Sequence, residues 1–360
     1  MNDLGLLRFG TTPQLSRNAM ARGVGNRLRS LGAPGNRARL RDVSMAGTVM
    51  VGFVIGLAQA LGRAEAGTDN ILYWHDTGNG LAYPAQWMIS SSWWVYPPPL
   101  GQSLEFIHPI GFPAYLVASS VLLFAALAYV ARGWSLPLVG LGFLGIAFPS
   151  PPTLILAQPF GWALLGNVQL LMAAAIVAGM RWPAAWAVPL LTKIGPGVGL
   201  LWFAVRHEWR NLSIALAATL AISAASFLLS PSDWANWLRF VASNLNSPMD
   251  SKVVATIAIP TVPIPFIVRA AMSAGLVVWG ARTNRIWTVP VAAGWAIPAL
   301  YMWSFLPIWL GVIGVRATPA AHSSRAAAIG DQGGNRVVPG LDGPQETRLR
   351  DALSAPAEGE

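Results

Sequence analysis

The sequence predicts an all-α fold, a polytopic bundle of membrane helices. Hydrophobic residues make up 54% of the 360 residues and charged residues 11%, whereas a soluble domain is about 25% charged. Uncharged runs long enough to cross a bilayer recur along the chain, and arginines flank these runs. Together these observations exclude the two or three soluble domains that the length alone would suggest.

A helix needs about 20 apolar residues to cross the hydrocarbon core of a bilayer. We assign the spans to uncharged runs that reach that length, at 43–62, 106–131, 133–180, 211–232 and 286–315. The third run is long enough to cross twice with a turn at the proline-rich residues 149–153, and the last predicts two short or broken helices. In total we expect eight to ten membrane segments, some of them broken or re-entrant.

The arginines predict the orientation of these segments. Eight of the 24 basic residues lie in residues 1–42, so this arm is expected in the cytoplasm, and the acidic loop 63–105 outside. Later arginines mark returns to the cytoplasm, at Arg132, Arg181, Arg206, Arg210, Arg282, Arg285 and Arg316. Because 24 residues separate Arg181 from Arg206, we expect a re-entrant hairpin there, broken at Gly195-Pro196.

The chain therefore divides into a basic cytoplasmic arm (1–42), a membrane domain (43–316) and a tail (317–360). The polar arm is too long for a signal peptide, so the first helix is expected to be retained. The tail is poor in large apolar residues and predicts disorder in the cytoplasm. This is the organisation of a multi-pass plasma-membrane protein. The absence of cysteine excludes disulfide scaffolds, thiolate metal sites and cysteine nucleophiles.

The outside loop 63–105 holds two aspartates among many aromatic residues. The aromatics are typical of a membrane-interface belt, and they also suit stacking against a sugar ring. Asp69 or Asp76 could be a solvated loop charge or a general base, and spacing alone does not choose between them. His75 and Asp76 are too few for a metal site, so we expect neither a metal nor a cofactor.

Lys193 is one of two lysines and interrupts the otherwise uncharged stretch 182–205. An ionisable group at membrane depth costs about 3 kcal/mol on insertion scales, which favours a functional role. The following Ile-Gly-Pro breaks the helix, and a cation beside a broken helix could hold an anion such as a lipid phosphate. The alternative is a lysine that extends from a helix end to the interface.

Other polar residues are weaker candidates. Asn167 and Gln169, in Gly166-Asn-Val-Gln169, could cap the following helix or bind a polar ligand. Arg269 could bind a ligand or extend to the interface. The second outside loop, 231–262, predicts an amphipathic helix on the membrane surface; its apolar side would comprise Trp234, Trp237, Leu238 and Val241, with polar contacts from Arg239 and Asn244.

These motifs, in this order, resemble the membrane-embedded GT-C glycosyltransferases, and specifically glycosyltransferase family 87, which transfers mannose from a polyprenyl-phosphate donor. The resemblance spans about residues 44–316. It rests on Asp69-Asn-Ile-Leu-Tyr73, Gly80-Leu-Ala-Tyr83, Tyr96-Pro-Pro98, Gly166-Asn-Val-Gln169 with its two amides exchanged relative to the family, and Lys193-Ile-Gly-Pro196 before Arg206-His-Glu-Trp-Arg210.

The resemblance implies an inverting, metal-independent transfer of a sugar to a glycan or glycolipid acceptor at the outer face of the membrane. Asp69 would be the catalytic base, and Lys193 would bind the donor phosphate. The implied substrate-binding candidates are Tyr73, Asp76, Tyr83, Tyr96, Asn167 and Gln169. No nucleic-acid partner is implied, because the partners are the bilayer, the lipid-linked donor and the acceptor.

Two other functions fit the same composition. A secondary transporter or flippase of a lipid-linked or polar solute also uses broken helices and a charge near the midplane. It has no need for a large aromatic and acidic loop after its first helix, and we find no pair of equivalent halves. A non-catalytic scaffold of the cell envelope would tolerate changes at Asp69 and Lys193.

Overall fold

The computed structural model describes residues 34–63, 68–78, 80–83, 95–149, 151–244, 264–297 and 305–317. All regular secondary structure in these ranges is helical. The prediction of an all-α chain is therefore confirmed for the described part. Most of the predicted arm and tail, residues 1–33 and 318–360, lie outside it.

The α-helices in chain order are α1 Pro34–Ala60, α2 Thr68–Thr77, α3 Pro98–Ile107, α4 Phe112–Ala131, α5 Ser135–Ala147, α6 Pro151–Leu165, α7 Gln169–Gly179, α8 Ala187–Thr192, α9 Leu201–Val205, α10 Trp209–Leu229, α11 Pro231–Asn244, α12 Phe266–Arg282, α13 Thr288–Trp295, α14 Leu306–Trp309 and α15 Gly311–Arg316. Short 3-10 helices lie at His108–Ile110, Arg132–Trp134, Pro183–Trp186 and Gly195–Leu200. Helix α1 begins before the first predicted span, because proline suits a first helical turn and the arginines that follow are good helix formers.

Within the described ranges, three helical stretches are long and apolar enough to cross a membrane: Gly35–Ala60, Phe112–Ala147 and Trp209–Leu229. The pair Ala157–Leu165 and Gln169–Gly179, bent by 109°, would make a fourth if it forms one span. Shorter apolar helices occur at Pro183–Thr192, Gly195–Val205 and Leu306–Arg316. Helices suited to membrane insertion are thus present, and the count of eight to ten segments stays a prediction.

The stretch that contains α4 and α5 is not one straight rod. Phe124 of α4 packs on Phe160 with ring centroids 5.8 Å apart, and Phe143 of α5 packs on the same ring at 4.8 Å. Residues 19 positions apart in a straight helix would be separated by about 28 Å. The chain therefore folds back at Arg132–Trp134, where Arg132 has a positive φ of 49°.

One end of the bundle gathers arginines that the charge pattern assigned to the same side. A buried cluster of Val130, Val177 and Val315, with Met180 and Ile286 packed against it, adjoins Arg132, Arg181, Arg285 and Arg316 in the sequence. Arg206 reaches the same end, where its Nη1 donates to Asn284 Oδ1 at 3.1 Å. Tyr115 lies about 22 Å from Val130 along the axis of α4. The bundle thus has a basic end, and the opposite end is formed around Tyr115.

The contact of α5 with α6 depends on a glycine. A Cβ atom at Gly142 would collide with Phe160, whereas a Cβ at Gly140 would meet nothing within 4 Å. We expect Gly142→Ala to destabilise the protein by about 1–3 kcal/mol through overpacking. Gly140→Ala, the matched control on the same helix, should be neutral or slightly stabilising. Thermal unfolding in lipid nanodiscs measures both, and equal midpoints for the two variants would contradict the close packing.

Candidate functional site

Asp69 lies in the first turn of α2. The positive end of the helix dipole stabilises a carboxylate at this position. The side-chain amide of Asn167 donates through Nδ2 to Asp69 Oδ2 at 2.7 Å. Asn167 Oδ1 accepts the backbone N–H of Gln169 at 3.0 Å, one of the N–H groups that a helix start leaves unpaired. Asn167 therefore caps α7, one of the two roles considered from its sequence, and it also holds the Asp69 carboxyl. Binding of a polar ligand by this amide stays a prediction.

Asn70 fixes the start of α2 against α4 and the turn before α7. Its Oδ1 accepts hydrogen bonds from Tyr115 Oη at 3.2 Å and Ser119 Oγ at 2.7 Å. Gly166 has a φ of +88°, and a Cβ there would collide with the Asn70 amide. The sequence reasoning missed Asn70. Its position beside Asp69 made it a candidate, but nothing in the sequence indicated its contact with Gly166.

Three predicted tyrosines form a chain of contacts next to Asp69. Tyr73 Oη and Tyr96 Oη lie 3.0 Å apart, with their rings edge to face at 5.6 Å between centroids. Tyr83 Oη donates to the backbone oxygen of Tyr96 at 3.0 Å. Burial raises the pKa of Tyr73 and that of Tyr96 further above neutral pH. Both phenols are protonated there, as tyrosines ordinarily are, and can donate hydrogen bonds.

Lys193 lies where the chain reverses between α8 and the 3-10 helix Gly195–Leu200. Its backbone is extended, with φ −144° and ψ 109°, and the chain folds back so that Gly197 approaches Leu190 and Gly199 approaches Trp186. The predicted break is therefore present, and it begins at Lys193 itself, two residues before the expected Gly195-Pro196. The Lys193 Nζ faces the ring of Tyr96 at 5.9 Å from its centroid.

Asp69 and Lys193 interact without touching. Burial raises the pKa of the Asp69 carboxyl, while the hydrogen bond from Asn167 and the charge of Lys193 lower it. The ion pairs among the described residues are Arg41–Asp42 and Arg206–Glu208, so Lys193 and Asp69 make no direct pair. A carboxylate that is partly desolvated, held by one donor and close to a cation is suited to accept a proton.

Asp76 and Gln169 have different surroundings from Asp69. Asp76 lies about 10 Å along α2 from Asp69, and burial raises its pKa to about 6, with the charge of His75 opposing that rise. Gln169 is buried, and its Oε1 has no hydrogen-bond partner among the described residues.

In the described ranges no three His, Asp or Glu side chains are grouped so that they could hold a metal ion.

Helix α11 forms as predicted, but tryptophans of its apolar side contact protein. Trp234 Nε1 donates to Ser226 Oγ at 2.9 Å, and Trp237 is buried with its ring 5.6 Å from that of Trp234. These two rings therefore do not form a free membrane-binding face, although Leu238 remains exposed. Three tryptophans of the aromatic outside loop 63–105 lie outside the described residues: Trp87, Trp93 and Trp94.

Arg269 has a structural contact that its sequence position did not reveal. The side chain is buried, with 4% exposed, and its Nη1 donates to the backbone oxygens of Trp295 and Ile297 at 2.8 and 2.7 Å. It therefore satisfies carbonyl groups at the end of α13 and does not extend to an interface.

The contact between Asn167 and Asp69 gives a test of this geometry. We expect Asn167→Asp to keep the cap on Gln169, because aspartate also accepts there, but to place a second carboxylate against Asp69. Carboxylates that share a site raise the pKa of the pair, so the variant should lose stability as the pH rises through that value. The loss at pH 8 should be about 1–3 kcal/mol, and much smaller at pH 4.5, by thermal unfolding in nanodiscs.

A second amide-to-carboxylate bond in the chain provides the control. Asn211 Nδ2 donates to Glu208 Oε2 at 2.8 Å, and Glu208 is also paired with Arg206. The added charge in Asn211→Asp is offset by that arginine, so its stability should depend little on pH. The same pH dependence in both variants would contradict a specific contact at Asp69.

Comparison with known proteins adds no relative. No protein-family model, no curated protein and no solved structure matches the chain. The function of the protein is therefore inferred from the geometry around Asp69 and Lys193 and from the short motifs that contain them.

Proposed function

We propose that the protein is a membrane glycosyltransferase that moves a sugar from a polyprenyl-phosphate donor to a glycan or glycolipid acceptor. One observation carries the proposal: Asp69 and Lys193, distant in the sequence, both lie beside the tyrosine cluster of Tyr73 and Tyr96. By resemblance the sugar is mannose. The proposal includes a GT-C-like bundle in the plasma membrane with this cluster at the outer face.

The segregation of charge supports the orientation. Arginines gather at the end of the bundle around Val130, whereas Asp69 belongs to the opposite end, around Tyr115. Basic residues favour the cytoplasmic side of a membrane. The Asp69 end would then face outward, where a lipid-linked donor presents its phosphate at the boundary between lipid and water.

The proposed reaction is a single displacement with inversion. Asp69 takes the proton of an acceptor hydroxyl, whose oxygen forms a bond to the anomeric carbon of the donor sugar. The bond from that carbon to the phosphate oxygen breaks, and its electron pair leaves with the polyprenyl phosphate. Lys193 lies where it can neutralise the charge that develops on the leaving phosphate, an electrostatic role that acts most strongly in the transition state.

The tyrosines suit the recognition of a sugar. Tyr83 and Tyr96 are partly exposed and provide apolar ring faces, whereas the buried Tyr73 contacts the Tyr96 hydroxyl at 3.0 Å. Asn167 holds Asp69 in place, so we assign it a positioning role. Asp76 and Gln169 remain substrate-binding candidates of this proposal.

Replacing the proposed base tests the reaction. We expect Asp69→Asn to lower transfer by about 10²–10⁴-fold while donor binding is retained, because asparagine keeps the shape but cannot take the proton. Wild-type transfer should fall as the pH drops through the raised pKa of Asp69. The assay uses protein in nanodiscs and measures the transfer of radiolabelled sugar from the donor to envelope glycolipids. Polyprenyl-phosphate mannose is the first donor, and other polyprenyl-phosphate sugars follow.

Asp42→Asn is the control, since it removes an exposed carboxylate that is paired with Arg41 near Gly133, at the other end of the bundle, and should retain most transfer. Normal turnover in Asp69→Asn would contradict the base assignment. A folded wild-type protein that transfers no sugar, but moves the labelled lipid between leaflets of a vesicle, would instead identify the transporter or flippase.

Replacing the cation tests the donor site separately. We expect Lys193→Ala to raise the KM for the donor by roughly 10–100-fold, the range for the loss of a hydrogen bond to a charged group. The KM for the acceptor should change little. Lys193→Arg keeps the charge and should restore part of the donor affinity. A larger effect on the acceptor than on the donor would contradict the phosphate role.

A further inference from the structure

A cleft beside the tyrosine cluster takes no part in the reaction proposed above, although one of its lining residues is the substrate-binding candidate Tyr83. It has a volume of about 650 Å³ and lies between residues 81–83 and helix α11. Small-molecule sites commonly measure about 300–1,000 Å³. The cleft is therefore large enough for a sugar with a charged substituent.

Both walls of the cleft are fixed by packing. On one wall Leu81 is buried in a cluster with Tyr73 and Val168, which ties residues 81–83 to the helix that carries Asp69. On the other wall the buried Trp237 and the bond of Trp234 to Ser226 hold α11. The rotation of α11 about its axis is thereby set.

That rotation turns one face of α11 toward the cleft. The residues of α11 that line it are Asn236, Arg239, Phe240 and Ser243, spaced at i, i+3, i+4 and i+7, which is one face of a helix. Helical spacing and the cleft lining therefore agree. An amide, a guanidinium and a hydroxyl on one face give a small set of converging polar groups.

The lining combines two aromatic rings, one from each wall, with a cation. Tyr83 and Phe240 pack with ring centroids 6.2 Å apart and rings inclined at 38°, which makes a broad apolar surface suited to the face of a sugar ring. Arg239 is exposed and forms no ion pair with the carboxylates that the structure describes. A guanidinium recognises phosphate or carboxylate through paired N–H donors.

The cleft adjoins the proposed reaction centre through one side chain. Tyr83 lines the cleft and donates to the backbone oxygen of Tyr96, whose ring faces Lys193. A ligand on Tyr83 would therefore approach the cluster from the side of α11, while a donor phosphate would occupy the side of Lys193. Two cations, one for each substrate, are thus separated by the tyrosines.

We propose that this cleft binds the acceptor, and that the acceptor is a sugar carrying an anionic group, phosphate or carboxylate, which Arg239 recognises while Tyr83 and Phe240 support the ring. The assignment as acceptor site rests on the proposed function. The recognition of an anionic sugar by the cleft does not.

Binding is measured first, without any transfer step. Protein in neutral phosphatidylcholine nanodiscs is titrated by calorimetry with the methyl glycosides of mannose, glucose and galactose, and with their 6-phosphates. We expect at least one 6-phosphate to bind about tenfold or more tightly than its neutral parent, the gain typical of a charge-assisted hydrogen bond. Arg239→Gln should remove that preference, and Arg239→Lys should keep part of it.

Two control variants make the result specific. Arg63→Gln removes an exposed arginine outside the cleft and should leave the preference unchanged. Asn236→Leu should weaken the charged and neutral probes alike, because an amide binds sugar hydroxyls in both. The proposed binding site would be contradicted if wild type bound neither the neutral nor the charged glycosides. It would also be contradicted if Arg239→Gln kept the preference for the 6-phosphate.

Further arms separate the source of the anion and the role of the site. The titration is repeated with the protein in nanodiscs that contain 20% phosphatidylglycerol. Weaker binding of the sugar 6-phosphate would identify a lipid headgroup as the anion, and unchanged binding would identify a soluble or glycan phosphate. In the transfer assay Arg239→Gln should raise the KM for the acceptor and leave that of the donor. An Arg239-dependent preference without transfer by wild type would retain the site and reject the glycosyltransferase.

Discussion

The two hydrogen bonds of the Asn167 amide are the contacts on which the rest of the site depends. A carboxylate that is partly removed from water needs donors, and the start of a helix leaves N–H groups that need acceptors. Asn167 meets both needs, because its Nδ2 binds Asp69 and its Oδ1 binds the N–H of Gln169. The position of Asp69 is thereby coupled to the start of α7, and through Asn70 to α4.

The cation of the site is placed by a break in the backbone. An uninterrupted helix through Lys193 would carry its ammonium on a side of an apolar rod, at a cost of about 3 kcal/mol in a membrane. The reversal between Leu190 and Gly197 puts Lys193 at the turn, where its charge meets the face of Tyr96 and the field of Asp69. Cation–π contact and an opposite charge both offset the cost of removing the ammonium from water.

Much of the fold was predictable, because in so apolar a chain each charge and each proline is conspicuous. The all-helical structure and the break at Lys193 follow from these residues. The helix cap by Asn167 was one of two roles expected from its position before an apolar run, but its bond to Asp69 was not expected. The contact of Asn70 with Gly166 could not be predicted, since a single long-range contact leaves no periodic pattern. Whether Trp234 contacts lipid or protein could not be predicted either, because an apolar helix face has the same sequence pattern in both cases. In the structure Trp234 contacts protein, through its hydrogen bond to Ser226.

Charge conservation explains why the proposed reaction suits a site with one carboxylate and one ammonium. Before transfer, the charges are those of ionised Asp69, the donor phosphodiester and Lys193. After transfer Asp69 is protonated, and the released polyprenyl phosphate carries one more negative charge, so the total is unchanged. The reaction therefore moves a negative charge from Asp69 toward the phosphate beside Lys193, in a partly buried site where electrostatic interactions are stronger than in bulk water. A direct Asp69–Lys193 ion pair would oppose that movement by stabilising the initial charge on Asp69, which gives a physical reason for the two groups to interact without contact.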